Sequence, residues 1–359
     1  MDHFSIALIP GDGIGVDVIR EGRKVLDTIC KLHGGLSLSY TEFDWSCEYY
    51  LKHGKMMPDD GLDILKNFDS IFLGAVGYPG VPDHVSLWGL LLPIRRQFEQ
   101  YINLRPVKLL KGIQSPLSGK TSKDLDFIVI RENNEGEYSS IGGRMYEGTD
   151  MDMAIQNSVF TKKGVERVLR YAFDLAQKKG KRKKVTAATK SNGINHTMPF
   201  WDEYVEKISK EYPDVVSETV HIDALAAYFV SKPETMDVVV ASNLFGDILT
   251  DLGAAIIGGL GIAPSANINP EKKYPSMFEP VHGSAPDIAG KGIANPLATI
   301  WTASLLLDHL GQEESAKAIL DVIEEVLLEK EKLTPDLGGR ATTEQFGNTI
   351  CEKLIQHLG

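Results

Sequence analysis

Short β-branched runs alternate along the chain with longer segments in which apolar positions recur every three to four residues, the spacing of strands followed by amphipathic helices. Ser5-Ile6-Ala7-Leu8-Ile9 reads as a strand, Pro10 to Gly15 as a glycine turn, and Val16, Val18, Ile19, Val25, Leu26 and Ile29 as the apolar stripe of a helix. Leu36 to Phe43 alternates as a second strand, and Ser70 to Gly77 is a third that runs into a loop rich in Gly and Pro. Met151 to Val159 looks strand-like, Thr161 opens a helix with Val165, Val168, Leu169, Ala172 and Phe173 at helical spacing, and Val215 to Val220 leads to His221-Ile222-Asp223. Leu297 to Leu310 is too apolar for a solvent-facing helix, Glu313 to Lys330 is amphipathic, and Thr342 to Gln345 has the spacing of a capping box.

Within this pattern the stretch Met236 to Asp251 stands out. Its β-branched half reads as a buried strand, Ser242 or Asn243 can cap the helix that follows, and Asp247 and Asp251 then share one helix face. Two like charges at this spacing cost an isolated helix roughly 0.2–0.5 kcal/mol, a penalty that a bound cation would reverse. Oxygen-only ligands favour Mg²⁺ or Mn²⁺ over Zn²⁺. A purely solvated pair of aspartates is the competing reading.

The chain has 359 residues and 43% hydrophobic content, enough for a large core and a soft argument for two domains. Its formal charge of -11 argues against a nucleic-acid or anionic-membrane partner, so an anionic ligand needs a local basic pocket. Cys30, Cys47 and Cys351 suggest neither a disulfide framework nor a zinc site, which fits a reducing cytoplasm. No targeting signal and no membrane span are expected.

Such a basic pocket has candidates in Arg95, Arg105 and Arg131, whose planar forks suit carboxylates. The GDGIG turn is no dinucleotide fingerprint, because Val16 stands where the third glycine belongs. Phe278 to Pro296 forms a long loop whose small residues let a flat ligand approach, with His282, Asp287 and Asn295 as polar handles. The basic run Lys178 to Lys184 reads as a solvated loop, and Lys190 is delivered to a strand end. Gly142, Gly143 and Gly148 belong to a glycine-rich excursion that suits a dimer contact.

GDGIG at 11–15, NLRP at 103–106, REN at 131–133, GEYS at 136–139, TKSN at 189–192, NLFGDILTD at 243–251 and EPVHGSAPDIAGKGIANP at 279–296 occur in this order. Together they resemble the β-decarboxylating dehydrogenase family of isocitrate and isopropylmalate dehydrogenases over essentially the whole length. SLWGLLLPIRR at 86–96 and CEYYLKHGKMMPDD at 47–60 look like its D-malate and tartrate dehydrogenase branch, with Trp88 where isopropylmalate enzymes usually carry glutamate.

The resemblance implies an α/β, isopropylmalate-dehydrogenase-like two-domain fold with a large mixed sheet flanked by helices, not a Rossmann fold. Residues 1–100 with 257–359 would bind the cofactor, and 101–256 would bind substrate and dimerise, with an arm at about 139–160. It implies a homodimer with shared sites: Asp247 and Asp251 from one subunit and Asp223 from the other hold Mg²⁺ or Mn²⁺, and K⁺ assists. Arg95, Arg105 and Arg131, with Trp88 and Leu91, would contact substrate; Tyr138, and Lys190 from the neighbouring subunit, would form the acid–base set. His282, Gly283, Ser284, Ala285, Asp287, Ile288 and Asn295 would bind NAD. The Asp287 carboxylate suits ribose hydroxyls and repels a 2′-phosphate, which favours NAD over NADP.

The chemistry so implied is oxidative decarboxylation of D-malate to pyruvate and CO₂, with tartrate and related 2-hydroxy diacids as further substrates. Two alternatives stay open: 3-isopropylmalate dehydrogenase, and a metal-dependent phosphate-transfer or phosphate-binding protein. The latter is disfavoured by the absence of a G-x-x-x-x-G-K-[ST] loop.

Overall fold

The computed structural model describes residues 2–359, in two compact units. The first comprises the chain up to Gln100, Leu109–Ser122 and Ala254–Gly359; the second comprises Tyr101–Lys108 and Lys123–Gly253.

In the first unit the strands lie in the order Leu36–Glu42, Asp2–Gly11, Ser70–Ala75, Ser276–Pro280 and Pro264–Ile268. Only the last pairing is antiparallel. Ser70–Ala75 is buried at every position, which is why it reads as an unbroken apolar run rather than an alternating one. The helix Ile14–His33 packs on that strand and against the helices Leu297–His309 and Thr343–Leu358. Leu297–His309 is buried on almost every side, as its lack of a polar face requires. Thr342 and Gln345 form the reciprocal capping box.

Leu109–Ser122 and Ala254–Ile256 belong to this unit, whereas the sequence placed them in a second domain spanning 101–256. Local packing explains the shift. Leu109 and Leu110 are buried, Lys111 Nζ lies 2.9 Å from Glu324, and Ser115 donates to the Ile256 carbonyl at 2.6 Å. Once Ile102–Lys108 has crossed its sheet, the chain turns away into these contacts, a change that strand periodicity does not report.

In the second unit the order is Ile102–Lys108, Asp126–Glu132, Val238–Ala241, Lys184–Thr189 and Val216–His221. The first pair is antiparallel and the other pairs are parallel. Four neighbouring strands therefore point the same way, and their carboxyl ends line one edge, where ligands of open α/β sheets bind. Ala241 pairs with Arg131 and Thr189 with His221, so Arg131, Asn243, Lys190 and Asp223 all emerge at this edge. Lys162–Lys178 covers one face of the sheet, with Thr161 accepting from the Gly164 amide as its cap. Gly142–Met145 and Met153–Gln156 form an antiparallel two-stranded arm exposed at every position.

The basic run 178–184 is not merely solvated. Lys178, Lys179 and Lys181 to Lys183 are exposed and Lys184 is half-buried, but the Asp237 carboxylate, itself 4% exposed, accepts the amides of Lys181, Arg182 and Lys184 at 2.9–3.1 Å. The side chains of Lys181 and Lys184 pair with Asp126 and Glu218. Net charge concealed this arrangement, because the anchoring carboxylate lies more than fifty residues downstream. Among the described residues no helix is long and apolar enough to cross a membrane.

Candidate active site

The helix Asn243–Ile256 begins where the buried strand Val238–Ala241 ends, and it carries the acidic face expected from the sequence. Gly246 allows it to approach its neighbour: a Cβ there would lie 2.5 Å from Arg131 Cγ. With that side chain missing, the Arg131 guanidinium reaches across the helix, donating to Asn243 Oδ1 at 2.7 and 3.1 Å and pairing with Asp247. Arg105, on the adjacent strand, donates to Thr250 Oγ1 at 2.6 Å and to Asp251 at 3.4 Å. The buried Arg131 and the half-buried Arg105 guanidinium groups thus flank the two aspartates.

Tyr138 completes the cluster, its hydroxyl donating to Asp247 Oδ2 at 2.7 Å beneath the Arg131 guanidinium, which lies 5.3 Å from its ring. Burial raises the phenol pKa, and the Asp247 hydrogen bond and charge add to the effect. The phenol therefore stays protonated, the state in which it can donate a proton. Lys190 lies in a separate pair, with its Nζ 2.9 Å from Asp223. That hydrogen bond holds the exposed Asp223 carboxyl below its ordinary value.

Asp247 and Asp251 suit a hard divalent cation. They offer only oxygen, and the Asp251 side chain is 62% exposed, open to a ligand. Burial pushes its carboxyl pKa up; Arg105 opposes the rise and the Asp247 charge adds to it, so the two carboxylates repel each other. A cation between them would relieve that repulsion. Among the described residues, no group of three His, Cys, Asp or Glu side chains within the chain converges to hold one. Asp223 is not brought to Asp247 and Asp251 in a single copy.

The remaining candidates lie in the first unit. Arg95 is buried and donates to Glu279 Oε1 at 2.7 Å; the same oxygen accepts from Asn267 at 2.7 Å. Trp88 and Leu91 lie on Leu87–Leu91, a widened turn in which the Leu92 amide returns to the Leu87 carbonyl. Such turns re-aim side chains and often mark functional sites. Trp88 is 41% exposed, with the Arg96 guanidinium 4.8 Å above its ring. The structure thus brings together Arg105, Arg131, Tyr138, Asp247 and Asp251, while Arg95, Trp88 and Leu91 belong to the other unit.

The long loop adjoins the GDGIG turn. Ile14 donates its amide to the Ser284 carbonyl at 2.8 Å, and a Cβ on Gly13, whose φ is +55°, would lie 2.1 Å from that oxygen. Burial lowers the His282 pKa, which keeps the imidazole neutral. Gly283 and Asp287 are exposed, whereas Ala285 and Ile288 pack toward Ile14 and Val18. Asn295 caps the next helix by accepting from Leu297 at 3.0 Å and donates to Asp336 at 2.9 Å.

Sequence reasoning missed several side chains that position these groups. Asp12 is 1% exposed and accepts the amides of Cys47, Glu48 and Gly77 at 3.0–3.2 Å, tying the start of the helix Cys47–His53 and the loop after Ser70–Ala75 to the glycine turn. Glu279, Asp336 and Glu137 are equally concealed, since each acts on a partner far away in sequence. Neither Ser242 nor Asn243 supplies the expected cap of the acidic helix. The Ser242 hydroxyl donates to Glu137 at 2.8 Å, Asn243 is engaged by Arg131 and the Glu135 carbonyl, and the Leu244 amide goes to Glu137 at 3.0 Å.

The family model described as isocitrate/isopropylmalate dehydrogenase matches residues 5–350. The chain is 59% identical to a probable tartrate dehydrogenase/decarboxylase of Bacillus subtilis, over 99% of both chains. It is 56% identical to a D-malate dehydrogenase (decarboxylating) of Escherichia coli, over 99% of this chain and 100% of that one. An isocitrate dehydrogenase from Methylococcus capsulatus superimposes with a TM-score of 0.87 at 35% identity, covering 98% of this chain and 99% of that one.

Proposed function

Since the chain belongs to the isocitrate/isopropylmalate dehydrogenase family, we propose that it oxidises and decarboxylates D-malate to pyruvate and CO₂, with NAD and Mg²⁺ or Mn²⁺, and accepts tartrate and related 2-hydroxy diacids. The carrying observation is the Tyr138–Asp247 contact flanked by Arg105 and Arg131, with Asp251 one turn further along the helix. The tartrate and D-malate activities in the names of full-length relatives support the choice of substrate.

Arg105 and Arg131, with Arg95, hold the diacid through its carboxylates. Trp88 and Leu91 border the substituent on the carbon next to the departing carboxylate. Lys190 of the partner subunit takes the proton of the substrate's 2-hydroxyl; NAD, when bound, would accept the hydride from the carbon that bears that hydroxyl. Loss of CO₂ leaves an enolate, and Tyr138 gives its proton to the enolate carbon. A divalent cation held by Asp247 and Asp251, with the partner subunit's Asp223, supplies the Lewis acidity that this sequence needs. The loop containing His282, Gly283, Ser284, Ala285, Asp287, Ile288 and Asn295 would hold NAD, with the Asp287 carboxylate available to ribose hydroxyls.

A homodimer follows from the same reading, because Asp223 and Lys190 are paired with each other and not with Asp247 and Asp251. Ile141, Met145, Tyr146, Met151, Met153 and Ile155 on the arm are 41–67% exposed, an apolar surface suited to a second copy. Steady-state rates with D-malate, tartrate and 3-isopropylmalate in one buffer test the substrate. Preference for D-malate or tartrate is expected; preference for 3-isopropylmalate overturns the assignment.

A further inference from the structure

Between Arg131 and Tyr138 the chain bears three carboxylates, and each has a defined task within the second unit. Glu132 accepts the amides of Asn134 and Glu135 at 2.9 and 3.0 Å, folding the turn back on itself. Glu135 accepts the amide and hydroxyl of Thr161, both at 2.8 Å, fastening the turn to the start of the helix Lys162–Lys178. Glu137 takes the Ser242 hydroxyl and the Leu244 amide, one on each oxygen.

A helix ordinarily receives its first cap from its own entering residue. Here Ser242 donates and Asn243 is occupied elsewhere, so the cap comes from the loop that carries Tyr138. Tyr138 then meets Asp247 one turn beyond Leu244 on the same helix.

We propose that Glu137 is a positioning residue for the Tyr138 phenol: by capping the helix that carries Asp247, it fixes where its sequence neighbour meets that carboxylate. The inference deepens the role given to Tyr138 and rests on it. Were the helix self-capped, the loop would be tied to it through the Asn243 contact with the Glu135 carbonyl and through Tyr138 itself. With Glu137 as cap, a shift of the phenol requires breaking two hydrogen bonds to a carboxylate.

The test is a double-mutant cycle on kcat and on KM for D-malate, using Glu137→Ala, Glu137→Gln, Tyr138→Phe and the double variant of Glu137→Ala with Tyr138→Phe. Tyr138→Phe should lower kcat by about 10²-fold or more, the contribution of a lost general acid. Glu137→Ala should lower kcat by about 10–10²-fold through misplacement, with a much smaller change in KM because both arginines stay in place. Glu137→Gln, which keeps an acceptor oxygen, should recover much of the loss. In the Tyr138→Phe background, Glu137→Ala should then cost less than about twofold, since both changes act on one step.

Losses that multiply, or an unchanged kcat in Glu137→Ala while Tyr138→Phe is impaired, overturn the positioning role and leave that of Tyr138 standing. A fully active Tyr138→Phe overturns both. If Glu137→Ala lacks a cooperative thermal transition, Ser242→Ala removes one of the two bonds without disturbing the loop. It should lower kcat in the same sense, and an unchanged kcat there refutes the proposal.

Discussion

At Asp251 two demands meet: its carboxyl is partly buried beside another acid, yet its side chain remains open to solvent. Asp251→Asn removes the charge and keeps the shape, so metal-dependent turnover should vanish while the thermal transition stays close to that of the parent. Normal activity in that variant would place the cation elsewhere. Glu132 makes an opposite kind of statement. Burial raises its pKa to about 7, against an ordinary carboxyl near 4.5. The folded state therefore holds a proton that the unfolded state releases across this window. Stability is full below pH ~4.5 and falls as pH rises through ~7, by about 3 kcal/mol. Urea denaturation at pH 5 and pH 8 should show Glu132→Gln gaining on its parent at the higher pH by an amount of that order. Equal offsets at the two pH values would show that Glu132 is not protonated in the fold.

At the scale of elements, periodicity located most strands and helices, because burial of a strand or a helix stripe is written in consecutive residues. The chain's glycine turn, its all-apolar helix Leu297–His309 and the Thr342 box were legible for that reason. The acidic face of Asn243–Ile256 was legible as well, since Asp247 and Asp251 need only helical spacing to converge. What was not legible depends on partners far away in sequence: the Glu137 cap, the Asp12 tie, the Asp237 anchor and the widened turn at Leu87–Leu91. Close approach of one element to another is similarly invisible until both are placed. Gly246 is an example whose consequence can be measured. Gly246→Ala would force the acidic helix away from Arg131, with overpacking that costs about 1–3 kcal/mol. Both the melting temperature and kcat/KM should fall. A variant with parental values for both would mean that the helix tolerates displacement.

At the scale of the molecule, the site as proposed is completed by a second copy, which subunit mixing can decide. Homodimers of Asp251→Asn and of Lys190→Met should each be inactive. When they are unfolded and refolded together, half of the dimers are mixed, and each mixed dimer keeps one intact site while the other carries both changes. Recovered activity should approach roughly a quarter of the parental value. No recovery would place Lys190 and Asp251 of one chain in the same site.

The amides held by Asp237 also bear on how the chain meets a protease. Seven residues that include six lysines and arginines at 178–184 offer trypsin abundant targets on an exposed loop. Cleavage requires a stretch of backbone to enter the enzyme's cleft in extended form, and three amides of this loop are bound to a buried carboxylate. Limited digestion of the native protein should therefore spare the segment, and Asp237→Ala should turn it into the first cut, yielding two fragments that part near residue 182.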